Sequence, residues 1–318
     1  MDHTDFMDFT AFYGYIIRLY QQSEYALALD IATRQHSRFP DQAPLIYHVR
    51  ACLASCLNDQ AQAMSLLREA VEAGYWYPDY FWEDNDFTPI KELPEFQQLK
   101  AISAQRRASA QANVKPELLV ETPNGAASPY PLLMALHGNT HNAKRDIEHW
   151  RAALAEGWLL AAPQATQIVG IDMYVWDDRD QSERDIQAHY AALCEQYPID
   201  TARVVIGGFS MGGETAIYLA LKSAIPVCGF IAVAPGGPFT QELKHWKPVL
   251  EAARGRSVRG YIIIGTEDLA FKNVLSLAEL LRDNGISCEQ VTYPDMGHDI
   301  PPDFDQNLPY ILDFILGS

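Results

Sequence analysis

A serine between two glycines is the strongest candidate for nucleophilic chemistry in this chain. Ser210 lies in Gly208-Phe209-Ser210-Met211-Gly212, a Gly-x-Ser-x-Gly pentapeptide. The β-branched run Val204–Ile206 precedes it, and the apolar helical pattern Ala216–Leu221 follows it. A sharp strand-to-helix turn strains the serine backbone and crowds the positions two residues away, and glycine relieves that crowding. A flexible turn is the alternative for the pentapeptide alone, but its neighbours favour a nucleophile at the positive end of a helix.

The base and the carboxylate that such a serine needs can come from the ends of two later strands. The predicted strand Tyr261–Ile264 is followed by Gly-Thr-Glu-Asp, and the predicted strand Glu289–Tyr293 by a loop that contains His298. Because functional groups of a parallel sheet gather at its carboxyl edge, we expect His298 to meet Ser210. Four carboxylates at these two strand ends are candidates to orient this histidine: Glu267, Asp268, Asp295 and Asp299.

Short apolar runs alternate with helical patterns from about residue 113 onward. This alternation predicts a mostly parallel sheet with helices on both faces. The predicted strands are Leu118–Glu121, Leu132–Leu136, Leu159–Ala162, Val204–Gly207, Gly229–Ala234, Tyr261–Ile264 and Glu289–Tyr293. The predicted helices are Ala143–Glu156, Ser182–Tyr197, Met211–Ser223, Asn273–Asn284 and Asp305–Leu316.

The first part of the chain has helical periodicity and almost no strand signal. Two helix pairs are predicted, with turns at Gln21–Glu24 and at Asn58–Asp59. Ala-Leu-Ala-Leu from position 26 aligns with Ala-Met-Ser-Leu from position 63, an offset of 37 residues that is typical of a helix–turn–helix repeat. We therefore predict an all-helical domain at 1–112 and a catalytic domain at 113–318.

Composition limits the classes of function. The chain has 318 residues, of which 48% are hydrophobic and 20% charged, as in a soluble globular protein with a large core. A net charge of −17 argues against nucleic acid and anionic membrane surfaces as partners. No apolar run is long enough for membrane insertion, and the start lacks a signal-peptide pattern. The five scattered cysteines indicate a reducing cytoplasm, with neither a disulfide framework nor a metal site, and we expect a cytoplasmic location. They are Cys52, Cys56, Cys194, Cys228 and Cys288.

The helical half resembles tetratricopeptide repeats. The matching features are small alanines at the helix crossing, a Tyr-x-x-Ala-Leu-like opening at Tyr25, and a proline near the end of each unit. The resemblance implies a groove that binds a protein or peptide, and it leaves open a homo-oligomer or protein partner through this domain. The alternative is a helical cap on the chain's own catalytic half, which we favour because two repeats make little concave surface.

Residues from about 116 to 318 resemble an α/β-hydrolase of the carboxylesterase/phospholipase and dienelactone-hydrolase-like group. Four motifs carry the resemblance in the family's order: Leu136-His137-Gly138, Gly-Phe-Ser-Met-Gly-Gly from position 208, Gly-Thr-Glu-Asp from position 265, and Gly297-His298. It implies the α/β-hydrolase fold, with Ser210 as nucleophile and His298 as general base and then acid. It also implies that Asp268 is the carboxylate that fixes the imidazole tautomer.

The same resemblance assigns the oxyanion hole, which needs two backbone N–H groups aimed at the developing charge. Met211, directly after the nucleophile, is one expected donor, and Asn139 after His137-Gly138 is the other. Thr140 stands where the family usually has glycine, a departure that affects the geometry of this loop. Trp176, in a loop at the same edge as the serine, is a candidate wall of the substrate pocket, with a packed aromatic as the alternative.

These assignments predict a serine hydrolase that cleaves small-molecule carboxylic esters through an acyl-enzyme, without a metal or organic cofactor. Two alternatives remain. One is a serine peptidase or amidase of the same fold, because such enzymes share every motif named above. The other is a helical-repeat scaffold whose hydrolase half is inactive.

Overall fold

The computed structural model describes residues 6, 9–125 and 127–317. The chain divides into two compact units. One comprises Met1–Asn113 with Val169–Ile171, and the other comprises Val114–Ile168 with Asp172–Ser318. Among the described residues, no helix is both long and apolar enough to cross a membrane.

The described residues 9–113 of the first unit form helices joined by turns and loops, with no strand, as predicted. Positive φ angles of 62° at Ser23 and 59° at Asn58 end the first helix of each pair, at the two predicted turns. Fully buried alanines, among them Ala28, Ala51 and Ala63, bring the helices close together. The likeness to tetratricopeptide repeats stays a prediction. The helices are α1 (Phe9–Gln21), α2 (Tyr25–Gln35), α3 (Ala43–Cys56), α4 (Gln60–Glu72), α5 (Asp79–Trp82) and α6 (Pro94–Asn113), with 3₁₀ turns at His36–Arg38, Pro40–Gln42 and Asn85–Phe87.

A seven-stranded sheet forms the centre of the second unit, in the order β1-β3-β2-β6-β7-β8-β9. Neighbouring strands are parallel except β1, which runs antiparallel to β3. The mostly parallel sheet is thereby confirmed with all seven predicted strands, whereas the small sheet of β4 and β5 had not been predicted. The strands are β1 (Glu117–Glu121), β2 (Tyr130–Leu136), β3 (Leu159–Gln164), β4 (Gln167–Gly170), β5 (Met173–Val175), β6 (Ile199–Phe209), β7 (Gly229–Val233), β8 (Arg259–Gly265) and β9 (Ser287–Tyr293).

Two helices of this unit, Pro238–Gln241 and Trp246–Ala253, had not been predicted, and one predicted helix differs from the structure. The single helix predicted at 143–156 is wrong, because a 3₁₀ turn, Ile147–Trp150, separates two short helices. This turn carries the fully buried Trp150 over Gly207, where even a methyl group would come within 2.7 Å of the ring. The helices are α7 (Ala143–Asp146), α8 (Ala152–Ala155), α9 (Arg179–Gln196), α10 (Met211–Lys222), α11 (Pro238–Gln241), α12 (Trp246–Ala253), α13 (Phe271–Asp283) and α14 (Phe304–Leu316), with a further 3₁₀ turn at Leu243–His245.

Candidate active site

Ser210 occupies a sharp turn between β6 and α10. Its φ of 53° and ψ of −121° are strained for a residue with a side chain. A Cβ atom at Gly208 would lie 2.4 Å from the carbonyl carbon of Gly212. One at Gly212 would lie 2.4 Å from the carbonyl oxygens of Leu136 and His137. Both glycines are therefore required by close backbone packing, which explains the pentapeptide.

Hydrogen bonds from three directions hold the strained serine backbone. Its N–H donates to the carbonyl of Val233 at 2.9 Å. Its own carbonyl accepts from the N–H groups of Glu214 and Gly236, each at 3.1 Å. The hydroxyl is thereby presented on a rigid support at the carboxyl ends of the strands.

Ser210, His298 and Asp268 form a continuous chain of hydrogen bonds. His298 Nε2 lies 2.8 Å from Ser210 Oγ, and His298 Nδ1 lies 2.7 Å from Asp268 Oδ2. Asp268 also accepts from the N–H of Ala270 at 2.8 Å. An imidazole that donates from Nδ1 to a carboxylate has the lone pair of Nε2 free to accept the serine proton.

The four carboxylates that the sequence offered as partners of His298 differ in burial. The side chain of Asp268 is 2% exposed, while the imidazole of His298 is 44% exposed and reaches solvent. Glu267, Asp295 and Asp299 are all exposed. A buried carboxylate orients an imidazole more firmly than a solvated one, because less water competes for its lone pairs.

Of the two predicted oxyanion donors, Met211 begins α10 directly after Ser210, and Asn139 lies in the loop after β2, the strand beside β6. Among the described residues, the backbone N–H groups of Met211 and Asn139 have no hydrogen-bond acceptor. Thr140, the departure from the family pattern, adopts a φ of 60° and donates its N–H to the carbonyl of Tyr174 at 2.9 Å. The loop thus makes its turn without the usual glycine, with a strained threonine in its place.

A buried carboxylate supports this loop. Asp146 accepts from the N–H of Gly138 at 2.7 Å and lies 2.9 Å from Nδ1 of His141. Burial alone would raise the pKa of Asp146, but these bonds and the nearby imidazole hold it below its ordinary value. Asp146 therefore ties both flanks of Asn139 to α7. Sequence reasoning missed this residue, since no local motif marks it.

The histidine that opens the loop has a structural role. Burial lowers the pKa of His137 to about 4, so the ring is neutral. Its Nδ1 lies 2.8 Å from the carbonyl of Gly138, and its Nε2 accepts the N–H of Ala165 at 3.2 Å.

Trp176 is a packed aromatic residue, the alternative to a wall of the substrate pocket. The residue is fully buried, its indole N–H donates to the carbonyl of His137 at 3.0 Å, and the two rings lie 4.9 Å apart. A side chain without exposed surface contacts no substrate in this conformation. Trp176 therefore packs against His137 at the start of the loop that follows β2.

One group of possible metal ligands lies in the helical unit. Ligand atoms of His48, Cys52 and Asp84 lie within 4.8 Å of one another. The sulfur of Cys52 is 3.9 Å from both ring nitrogens of His48, so it lies on the lone-pair axis of neither. Because an ion bound in the plane of the ring could not reach this sulfur, these side chains are not arranged as a metal centre.

Comparisons with known proteins agree with this architecture. Residues 8–111 match the N-terminal domain of α/β-hydrolase-like proteins, and residues 177–315 match the phospholipase/carboxylesterase family. An uncharacterised protein of Bacillus cereus is 26% identical at a TM-score of 0.55, with 97% of this chain and 99% of that chain covered. The structure of esterase PE8 shares the fold, at 20% identity and a TM-score of 0.53 over 64% of this chain and 100% of its own.

A bifunctional acetylxylan esterase/xylanase of Neocallimastix patriciarum is 29% identical over 118 residues, or 36% of this chain. The chain spans only 17% of the length of that curated relative. The chain thus combines an N-terminal helical segment of the α/β-hydrolase-like type with a segment, residues 177–315, that matches the phospholipase/carboxylesterase family.

Proposed function

We propose that this protein hydrolyses small-molecule carboxylic esters through an acyl-enzyme intermediate on Ser210. The observation that carries the proposal is the unbroken hydrogen-bond chain from the serine hydroxyl through His298 to the buried Asp268. Nothing in the mechanism requires a metal or an organic cofactor, because the imidazole supplies and removes every proton.

The reaction proceeds in two half-reactions. Ser210 Oγ attacks the ester carbonyl carbon as its proton moves to His298 Nε2, and the backbone N–H groups of Met211 and Asn139 stabilise the oxyanion. The tetrahedral intermediate then collapses: the bond between the carbonyl carbon and the alcohol oxygen breaks, and that oxygen takes the proton from His298. Water then attacks the acyl carbon, gives a proton to His298, and releases the acid as Ser210 is protonated again.

Labelling and turnover test the proposal together. A fluorophosphonate probe should label the wild-type enzyme, and Ser210→Ala should lose both labelling and activity toward p-nitrophenyl esters. Ser276→Ala is the matched control, because Ser276 is an exposed serine on α13 and should behave as wild type. An unlabelled wild-type protein would support the scaffold alternative, and faster turnover of anilides than of esters would support the amidase alternative.

The helical domain, the domain boundary and the location are further parts of the proposal. We propose a boundary near residue 112, a helical domain that acts as a cap or binds a partner, and a cytoplasmic location. The five free cysteines support the last of these. Light scattering of the full chain separates a monomer from a homo-oligomer.

A further inference from the structure

A buried ion pair lies under the loop that follows β7. Glu214, one turn beyond Ser210 on α10, is completely buried, and Arg179 at the start of α9 has only 12% of its side chain exposed. The guanidinium donates to the Glu214 carboxylate and to the hydroxyl of Thr215. Removing both charges from water is costly, so a pair retained here requires close geometry and further hydrogen bonds.

Those further hydrogen bonds come from the loop itself. The Glu214 carboxylate accepts the N–H of Phe239 at 3.2 Å and that of Thr240 at 2.6 Å. Gly237 packs so closely on it that a Cβ atom there would lie 2.6 Å from Oε1. The Arg179 guanidinium lies 5.2 Å from the centre of the Phe239 ring, within cation–π range. The ion pair therefore fixes residues 237–240 by charge, hydrogen bonds and ring contact.

The same loop begins beside the reacting groups. Gly236 donates its N–H to the carbonyl of Ser210. A Cβ atom at Gly236 would lie 3.8 Å from Ser210 Oγ and 3.7 Å from Cε1 of His298, which is ordinary van der Waals contact. The absence of a side chain at this position therefore leaves about one methyl group of space directly beside both groups.

We infer that Gly236 is a specificity-determining position for the ester, and that Glu214 and Arg179 are positioning residues that hold it in place. The inference rests on the proposed ester hydrolysis. Gly236 forms a wall of the site beside the nucleophile, and a substrate group can approach Ser210 there because no side chain intervenes. The ion pair sets the distance between Gly236 and Ser210.

Gly236→Ala tests the wall directly. The backbone of Gly236 is not in the left-handed region, so alanine adds a methyl group without strain. Since one methylene changes the specificity of an apolar pocket by about 10- to 200-fold, we expect the ratio of kcat/KM for p-nitrophenyl acetate to that for p-nitrophenyl butanoate to change at least tenfold. A ratio within twofold of wild type in the folded variant would overturn the inference.

Glu214→Gln tests the positioning role. The amide keeps the shape but cannot neutralise Arg179 or accept both loop N–H groups as strongly. We expect at least a tenfold loss of kcat/KM and a weaker dependence on acyl length, mainly through KM. Asp185→Asn is the matched control, since Asp185 is a buried carboxylate on α9 that accepts from Thr166. It should lower Tm without changing the acyl-length ratio.

The outcomes separate this inference from the proposed function. An active wild type with unchanged acyl selectivity in Glu214→Gln would overturn the positioning role alone. If Glu214→Gln fails to fold, Arg179→Lys is measured instead, because it keeps the charge and loses the forked donor. A wild-type chain without Ser210-dependent turnover or fluorophosphonate labelling would overturn both the proposed function and this inference.

Discussion

Asp268→Asn is the sharpest test of how the candidate site works. Asp268 accepts two hydrogen bonds, one from the backbone N–H of Ala270 and one from Nδ1 of His298. Asparagine has one acceptor oxygen and one amide donor of the same size. If its oxygen keeps the backbone N–H, its NH₂ group faces Nδ1. The imidazole then carries its proton on Nε2 and cannot accept the proton of Ser210.

The expected loss is large because the wrong tautomer removes general-base catalysis while the geometry is retained. The same exchange in a Ser-His-Asp hydrolase costs about 10⁴-fold in kcat, which corresponds to about 5 kcal/mol of transition-state stabilisation. Because the Asp268 side chain is 2% exposed, little water is available to replace the lost carboxylate. We expect kcat to fall by roughly this factor and KM to change little.

The assay is steady-state hydrolysis of a p-nitrophenyl ester, with circular dichroism to establish the fold of each variant. Glu267→Gln, Asp295→Asn and Asp299→Asn are the controls, because these carboxylates are exposed near His298. Each should stay within about threefold of wild type, as expected for solvated groups. The reasoning is refuted if Asp268→Asn retains wild-type kcat, or if one of the controls suffers the large loss instead.

Three further predictions concern the supports of the site. Gly212→Ala places a Cβ atom 2.4 Å from two carbonyl oxygens, so in urea unfolding it should lower the free energy of unfolding by about 3 kcal/mol. Gly14→Ala is the control: Gly14 lies on α1 with open space around it, and this change should raise the free energy of unfolding by about 1 kcal/mol. Buried His137, with its pKa lowered from 6.5 to about 4, stays neutral when the unfolded chain takes up a proton. The contribution of His137 to the free energy of unfolding is therefore complete above pH 6.5, and it falls between pH 6.5 and about 4 by up to ~1.4 kcal/mol per pH unit. If the free energy of unfolding of His137→Gln falls with pH as steeply as that of the wild type over this range, the prediction is contradicted. Asp146→Asn should release the oxyanion loop and lower kcat by about 10²-fold, and an unchanged kcat in the folded variant would show that the loop needs no such anchor.

Two buried carboxylates hold the loops that follow β2 and β7, the strands on either side of the strand that ends at Ser210. Asp146 ties down the loop on one side of Ser210, and Glu214 ties down the loop on the other. Asp146 accepts one backbone N–H and Glu214 accepts two, and each has a basic side chain beside it. In a water-poor interior such paired carboxylates hold loops more firmly than neutral groups do. Asp146 and Glu214 therefore fix the positions of the two loops beside Ser210.

Much of the fold could be predicted from the sequence because its signals are local. Seven strands of the main sheet correspond to short apolar runs, and the helical half to periodic patterns, each contained within a few neighbouring residues. The 3₁₀ turn at Ile147–Trp150 escaped prediction because it belongs to the packing of Trp150 over a strand 57 positions later, at Gly207. Periodicity within 143–156 contains no trace of that contact.

The sequence by itself determined which residues could react and in which order they occur. The pentapeptide around Ser210 and the strand ends before Asp268 and His298 were sufficient for that. Only the tertiary structure distinguished Asp268 from its exposed neighbours, showed that Trp176 is fully buried against His137, and paired Arg179 with Glu214 across 35 positions. Burial and hydrogen bonding depend on residues far apart in the chain, and folding alone brings those together.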